Sequence, residues 1–174
     1  KWTFKSALYT KVFGDFVLKT AADFGYLGYY NKDLGYSPFE GFQLGGDGMS
    51  GYNTYGSDII GLRGYPNYSL TPIMGNAYAG RVYDKFTVEL RYPVVLQPQS
   101  TIYALAFLEG GNCWSDIKDF NPFEIKRSVG VGLRVMLPIV GMLGIDWGYG
   151  FDPVPNEGLD KGGSQFHFMI GQQF

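Results

Sequence analysis

Arg63 stands in the stretch SDIIGLRGYPNYSL, residues 57–70, between Gly61 and Gly64 and among Ile59, Ile60, Leu62, Tyr65 and Tyr68. A guanidinium keeps its proton in a protein and presents its donors in a planar fork, so an arginine in so apolar a stretch calls for carboxylates if it is buried. Two are placed to serve it. Glu89 in FTVELRY and Glu109 in ALAFLEGG fall on consecutive strand-like segments that turn near residue 98, and both have the odd-numbered parity of one face. Gly64, with Gly61 before it, permits a tight bend that a Cβ would obstruct. An arginine between two partly buried glutamates acts as a latch without catalytic chemistry, because removing one member costs on the order of 3 to 5 kcal/mol. The same residues allow a second placement: Arg63 solvated on a surface turn, with Glu89 and Glu109 lining a wet pore independently.

Other reactive types are sparse. Asp146 with Asp152, and Asp116 with Asp119, are paired carboxylates of the sort that acid–base catalysis uses, but nothing near them in sequence supplies a nucleophile or a metal partner. Cys113 is the sole cysteine and His167 the sole histidine, which excludes an internal disulfide and a Cys/His zinc cluster. Cys113 reads as a small residue at a strand end, and His167 as a tolerated polar residue on an inward face. The expectation is no enzyme, no cofactor and no metal. A formal net charge of −2 without any Lys/Arg block gives no reason to expect nucleic acid as a partner.

The elements that must position these residues alternate with period two. Leu143, Ile145, Trp147, Tyr149 and Phe151 alternate with Gly144, Asp146, Gly148, Gly150 and Asp152; Phe166, Phe168, Ile170 and Phe174 share one face of the last segment. Similar alternation runs over residues 1–12, 82–92 and 125–137, and noisier segments at 16–30 and 101–112 bring the count to seven strands. Each is about 10 to 15 residues, where globular strands average 5 to 6 and a bilayer requires 9 to 11. Short links near Phe13–Asp15, at LQPQ and at PIVG alternate with long ones at 31–80, 114–123 and 153–162, the asymmetry of an outer-membrane barrel. Charged residues are 17% and aromatics 18%, too little charge to clothe a water-facing surface. Tyr26, Tyr29, Tyr30, Trp114, Trp147, Tyr149 and Phe151 fall near strand ends, where interfacial aromatic girdles belong. A soluble sandwich or lipocalin-like barrel shares the alternation; strand length, scarce charge and loop asymmetry favour the membrane. No apolar run is long enough for a transmembrane helix, and KWTFKSALYTKVF, which alternates from its first residue, is expected to be strand and not leader. Single-chain bacterial barrels have an even number of strands, at least eight, so seven are expected to be the C-terminal part of a larger barrel. A barrel of eight fills with its own side chains, whereas a wider one has room for an inward-folded loop.

GLRGY resembles the Val/Leu-Arg-Gly-Phe/Tyr motif in the sixth outer loop of the BamA-like outer-membrane insertases, relatives of TamA and of the two-partner secretion transporters. FTVELRYPVV resembles the strand after that loop, LAFLEGGNCW the next, and SQFHFMIGQQF the final strand with its terminal aromatic. The likeness is close over residues 57–174 and loose over the first 56. It implies an all-β, antiparallel transmembrane barrel of sixteen strands, of which residues 1–174 hold the last seven or so, with POTRA domains upstream. It implies that the long extracellular loop 31–80 folds into the lumen, where Leu62, Arg63, Gly64 and Tyr65 latch against Glu89 and Glu109. In the family the second acid is more often Asp, one methylene shorter than Glu109. FMIGQQF resembles the β-signal of outer-membrane clients; Phe166, Phe168, Ile170, Gly171 and Phe174 would form the seam, with Gly171 weakening it. The implied function is assembly and insertion of outer-membrane proteins, with membrane lipid, unfolded client barrels and accessory lipoproteins as partners. A secretion or TamA-like transporter and a purely structural barrel are the alternatives. An isolated open barrel portion is expected to aggregate or to pair with another copy.

Overall fold

The structure is a computed structural model and describes residues 1–31, 33, 35–49, 56–97, 100–137 and 141–171. Its strands are β1 (Trp2–Lys11), β2 (Val17–Tyr26), β3 (Glu40–Leu44), β4 (Gly56–Ile60), β5 (Ile73–Met74), β6 (Ala77–Tyr78), β7 (Val82–Gln97), β8 (Ser100–Trp114), β9 (Lys126–Leu137), β10 (Gly141–Gly150) and β11 (Gly163–Ile170). Seven of them, in the order β1-β2-β7-β8-β9-β10-β11, form one sheet in which every neighbour is antiparallel. Sequence order is kept throughout, the meander of a barrel wall. β1 and β11 are its edges, so the wall needs further strands or a second chain to satisfy its outermost backbone groups in lipid.

The tight link after β1 is closed by the Val12 N–H donating to the Phe16 carbonyl at 3.0 Å. Parts of LQPQ and PIVG lie outside the described residues; the strand ends flanking them pair Gln97 with Ser100 and Leu137 with Gly141. β7 shifts register between Pro93 and Val95, consistent with a proline having no N–H to give the ladder.

The two faces differ as period two requires. Phe86, Val88, Leu108, Val131, Ile145, Trp147, Phe166 and Phe168 point outward and are exposed, while Thr87, Glu89, Phe107, Glu109, Ser128, Asp146 and His167 point inward and are buried. An exposed apolar belt on strands of this length is the lipid-facing side of a transmembrane barrel. What covers the inner face is the chain between β2 and β7. It carries two small sheets, β3 with β4 in parallel and β5 with β6 antiparallel, which the sequence did not announce because their strands are only 5 and 2 residues long. The main hydrophobic core lies between this loop and the wall: Phe42, Leu44, Ile60, Leu62 and Tyr65 from the loop pack with Tyr83 and Cys113.

One girdle assignment is corrected. Trp114 is buried, because the β8–β9 connection folds back and sets Phe120 edge-on against its ring, with centroids 4.9 Å apart.

Candidate functional site

The Gly-Leu-Arg-Gly-Tyr turn meets the inner face at Gly148 and Gly150 of β10. Gly64 has φ +87°, a backbone conformation that side-chain-bearing residues rarely adopt, and a Cβ there would come within 2.9 Å of the Gly150 nitrogen and of Ser128 Cβ. The wall answers with glycines of its own. A Cβ on Gly148 would meet the Gly64 nitrogen at 2.8 Å, and one on Gly162 would strike the Tyr65 ring at 2.6 Å. The alternating glycines of β10 are thus the slot into which the loop backbone fits.

Seated there, Arg63 is fully buried among three carboxylates. Its Nη2 donates to Glu109 Oε1 at 2.8 Å and to Glu89 Oε2 at 3.0 Å, and its Nη1 to Asp146 Oδ2 at 3.2 Å. The Arg63 backbone N–H donates to the other Glu109 oxygen, Oε2, at 2.9 Å, so Glu109 grips both main chain and side chain. The guanidinium carbon lies 3.6 Å from the centroid of Phe107, a stacked cation–π contact that arginine makes well and lysine poorly. Burial alone would lower the Arg63 pKa; the fields of Glu109, Glu89 and Asp146, with the Glu109 hydrogen bond, outweigh it and raise it.

Each carboxylate also has a cation supplied by the wall. Lys85 Nζ lies 3.3 Å from Glu109, Arg91 Nε 2.6 Å from Glu89, and Arg134 grips both oxygens of Asp146 at 2.6 and 2.7 Å. The neighbouring turn residues extend the contact. The Gly64 N–H donates to His167 Nε2 at 3.0 Å, reaching β11; the acceptor role requires that nitrogen to be unprotonated. The Tyr65 hydroxyl donates to the Arg127 carbonyl at 2.6 Å, and burial pushes its pKa up to about 12. Beyond β10, Asp152 is held below the usual carboxylate range by its hydrogen bonds with Arg127.

Of the residues singled out in the sequence, Leu62, Arg63, Gly64, Tyr65, Glu89 and Glu109 are brought together here. Glu89 and Glu109 are diagonal neighbours, Glu89 pairing with Phe107 and Glu109 with Thr87. Asp146, Arg134, Phe107 and His167 also belong to the site and were not assigned to it. Asp146 shares the inner parity of Gly148 and Gly150, the one signal that could have placed it. Phe166, Phe168 and Ile170 line the outer face of β11, paired with Trp147, Ile145 and Leu143. Gly171, just past the strand, has φ +75° and donates to the Met142 carbonyl at 2.7 Å; Phe174 lies outside the described residues. Among the described residues no set of His, Cys, Asp or Glu is arranged to hold a metal ion. The arrangement can hold a loop in place; among the described residues it shows no nucleophile paired with a base.

A wall of long antiparallel strands with an arginine loop seated on its inner face is matched by the Omp85 superfamily domain over residues 1–174. The chain belongs to the Omp85 superfamily. None of the curated proteins compared with it matches. Omp85 proteins are bacterial outer-membrane proteins that insert or transport polypeptides without enzymatic activity, acting on outer-membrane protein substrates. In this Omp85 domain the loop is tied to every strand from β7 to β11: through Glu89, Glu109, the Arg127 carbonyl, Asp146 and His167 in turn.

Proposed function

We propose that this domain is the C-terminal part of the barrel of a BamA-like insertase, which assembles outer-membrane proteins and inserts them into the bilayer. Residues 31–80 are the extracellular loop folded into the lumen, and Leu62, Arg63, Gly64 and Tyr65 latch it against Glu89 and Glu109. The observation that carries this reading is the burial of Arg63 between carboxylates of β7, β8 and β10. A loop bound so firmly to the wall beside the last strand sets the shape of the wall that ends in β11. Phe166, Phe168 and Ile170, with Gly171 and Phe174 after them, then form a seam whose backbone edge pairs with incoming client strands. The driving force is burial of client apolar surface in lipid together with strand pairing, so no cofactor or nucleotide is called for. Accessory lipoproteins of an assembly complex and unfolded client barrels are the partners.

The test is Arg63→Ala in the full-length protein, with its abundance in the outer membrane matched to the parent. The expected result is a defect in folding of client barrels. Normal client folding at matched abundance, or a defect confined to export of a single secreted polypeptide, overturns the insertase reading.

A further inference from the structure

Along β7 the outward-facing residues change character. Phe86 and Val88 are 44% and 43% exposed, whereas Val82 and Asp84 on the same face are 0% and 2%. The cover is the β8–β9 connection. After a single 3-10 turn at Ile117–Asp119, Phe120 packs edge-on against Trp114 of β8 at 4.9 Å and against Phe24 of β2 at 5.6 Å. Those strands flank β7, and Asp84 pairs with Phe24 on one side and Asn112 on the other, so Phe120 bridges over Asp84. A second anchor sits lower on β8: Ile125 Cδ1 fills the space over Gly110, 3.0 Å from where a Cβ would stand. Asn112 Nδ2 ties the strand to the Glu124 carbonyl at 2.7 Å.

The roof covers polar groups that lipid would not tolerate. Asp84 Oδ1 accepts from the Asn112 N–H at 3.0 Å, and Asp84 Oδ2 has no hydrogen-bond partner among the described residues. A carboxyl on the lipid-facing parity of a barrel strand is costly in contact with hydrocarbon. A cover made of Phe120 and Ile125 replaces that contact. The outer surface of the cover presents apolar side chains beside the exposed Lys118, Asp119 and Glu124. In the turn closed by the Glu124 N–H on the Asn121 carbonyl at 3.0 Å, Phe123 projects with 91% of its surface exposed, and Ile117 is 41% exposed.

We propose that this connection is a membrane anchor: it lies on the outer wall with Phe123 and Ile117 in the boundary between acyl chains and headgroups. Lipid is the occupant because the flap continues the exposed apolar belt of Phe86, Val88 and Leu108 on the strands beneath it, and because aromatic side chains are favoured at that depth. The proposal rests on the barrel reading of the wall.

The experiment places a nitroxide on single cysteines at positions 123, 131 and 160 of the full-length protein in phosphatidylcholine vesicles, the unsubstituted protein carried through labelling as blank. Accessibility to oxygen, which partitions into lipid, is compared with accessibility to a water-soluble nickel chelate. Val131 reports the strand wall and Asp160 an exposed loop. The proposal expects an oxygen-to-chelate ratio several-fold higher at 123 and 131 than at 160. Position 131 in lipid with 123 resembling 160 overturns the anchor and leaves the barrel reading intact. Position 123 shielded from both reagents overturns it in favour of a protein partner. Position 131 resembling 160 overturns both.

Discussion

Arg63→Ala removes the cation that the loop tip brings to the cluster. Its consequence is asymmetric, because the carboxylates it leaves are not orphaned: Glu109 keeps Lys85 at 3.3 Å, Glu89 keeps Arg91 at 2.6 Å, and Asp146 keeps both nitrogens of Arg134. Breaking a buried ion pair costs about 3 to 5 kcal/mol when it leaves an uncompensated charge. Here the wall is compensated, so the lower end applies, and the loss falls on the loop. About 3 kcal/mol is about a hundredfold in the equilibrium between seated and released loop. Amide hydrogen exchange on the full-length protein reads this directly. Protection of the amides at positions 63 and 64, which donate to Glu109 and His167, should fall about a hundredfold, while the β7–β8 ladder around Thr87 and Glu109 keeps its protection. Arg63→Lys should restore little, since an ammonium cannot reach three carboxylates in a plane or stack on Phe107. Equal loss of protection in the β7–β8 ladder would refute the reasoning, because it would make Arg63 part of the wall's own stability.

The slot gives a second outcome: Gly64→Ala should cost more than Gly163→Ala in thermal unfolding. Both have positive φ, +87° and +73°, worth about 1 to 3 kcal/mol of strain, but only Gly64 has atoms waiting at 2.9 Å. His167→Leu leaves the Gly64 N–H buried without its acceptor, at about 1 to 3 kcal/mol, whereas His167→Gln offers a carbonyl oxygen; exchange at Gly64 should rise in the first and far less in the second. Tyr65→Phe loses the bond to the Arg127 carbonyl, about 1 kcal/mol. With the Tyr65 pKa raised to about 12 against about 10 unfolded, its stabilising contribution is complete below pH ~10 and is lost as pH rises through its folded value. The alkaline step in loop protection should therefore be missing in Tyr65→Phe.

Five of the seven wall strands were plainly legible because one face is apolar and the other polar, so hydrophobicity tracks parity; β2 and β8 alternate less cleanly. Strands β3 to β6 were not, because at 5 and 2 residues they are shorter than any period can register, and β5 and β6 are exposed on both faces. Glu89 and Glu109 could be paired with each other from parity and a short turn. Asp146 and His167 could not, since they reach Arg63 and Gly64 from strands further along the wall, and sequence distance carries no register across successive hairpins. Trp114 shows the opposite limit. Its parity is outward, but Phe120, six residues later, decides that it is buried, and nothing in the strand itself says so.

The chemistry of the loop tip can be weighed against a simpler design. Leu62 and Tyr65 are as fully buried as Arg63, so apolar packing alone could seat the loop, and replacing a buried ion cluster with well-packed apolar residues is often neutral or stabilising. What apolar packing lacks is direction, because a hydrophobic tip can slide along a smooth inner face at little cost. Arg63 has acceptors on three separate strands and a ring beneath it, and a shift by one residue along any strand would turn a carboxylate outward. The glycine slot enforces the same position sterically. Together they admit one placement of the loop and one register of β7, β8 and β10 beneath it. That is the use of a buried charge network best supported in proteins, fixing which packing is adopted more than how tightly.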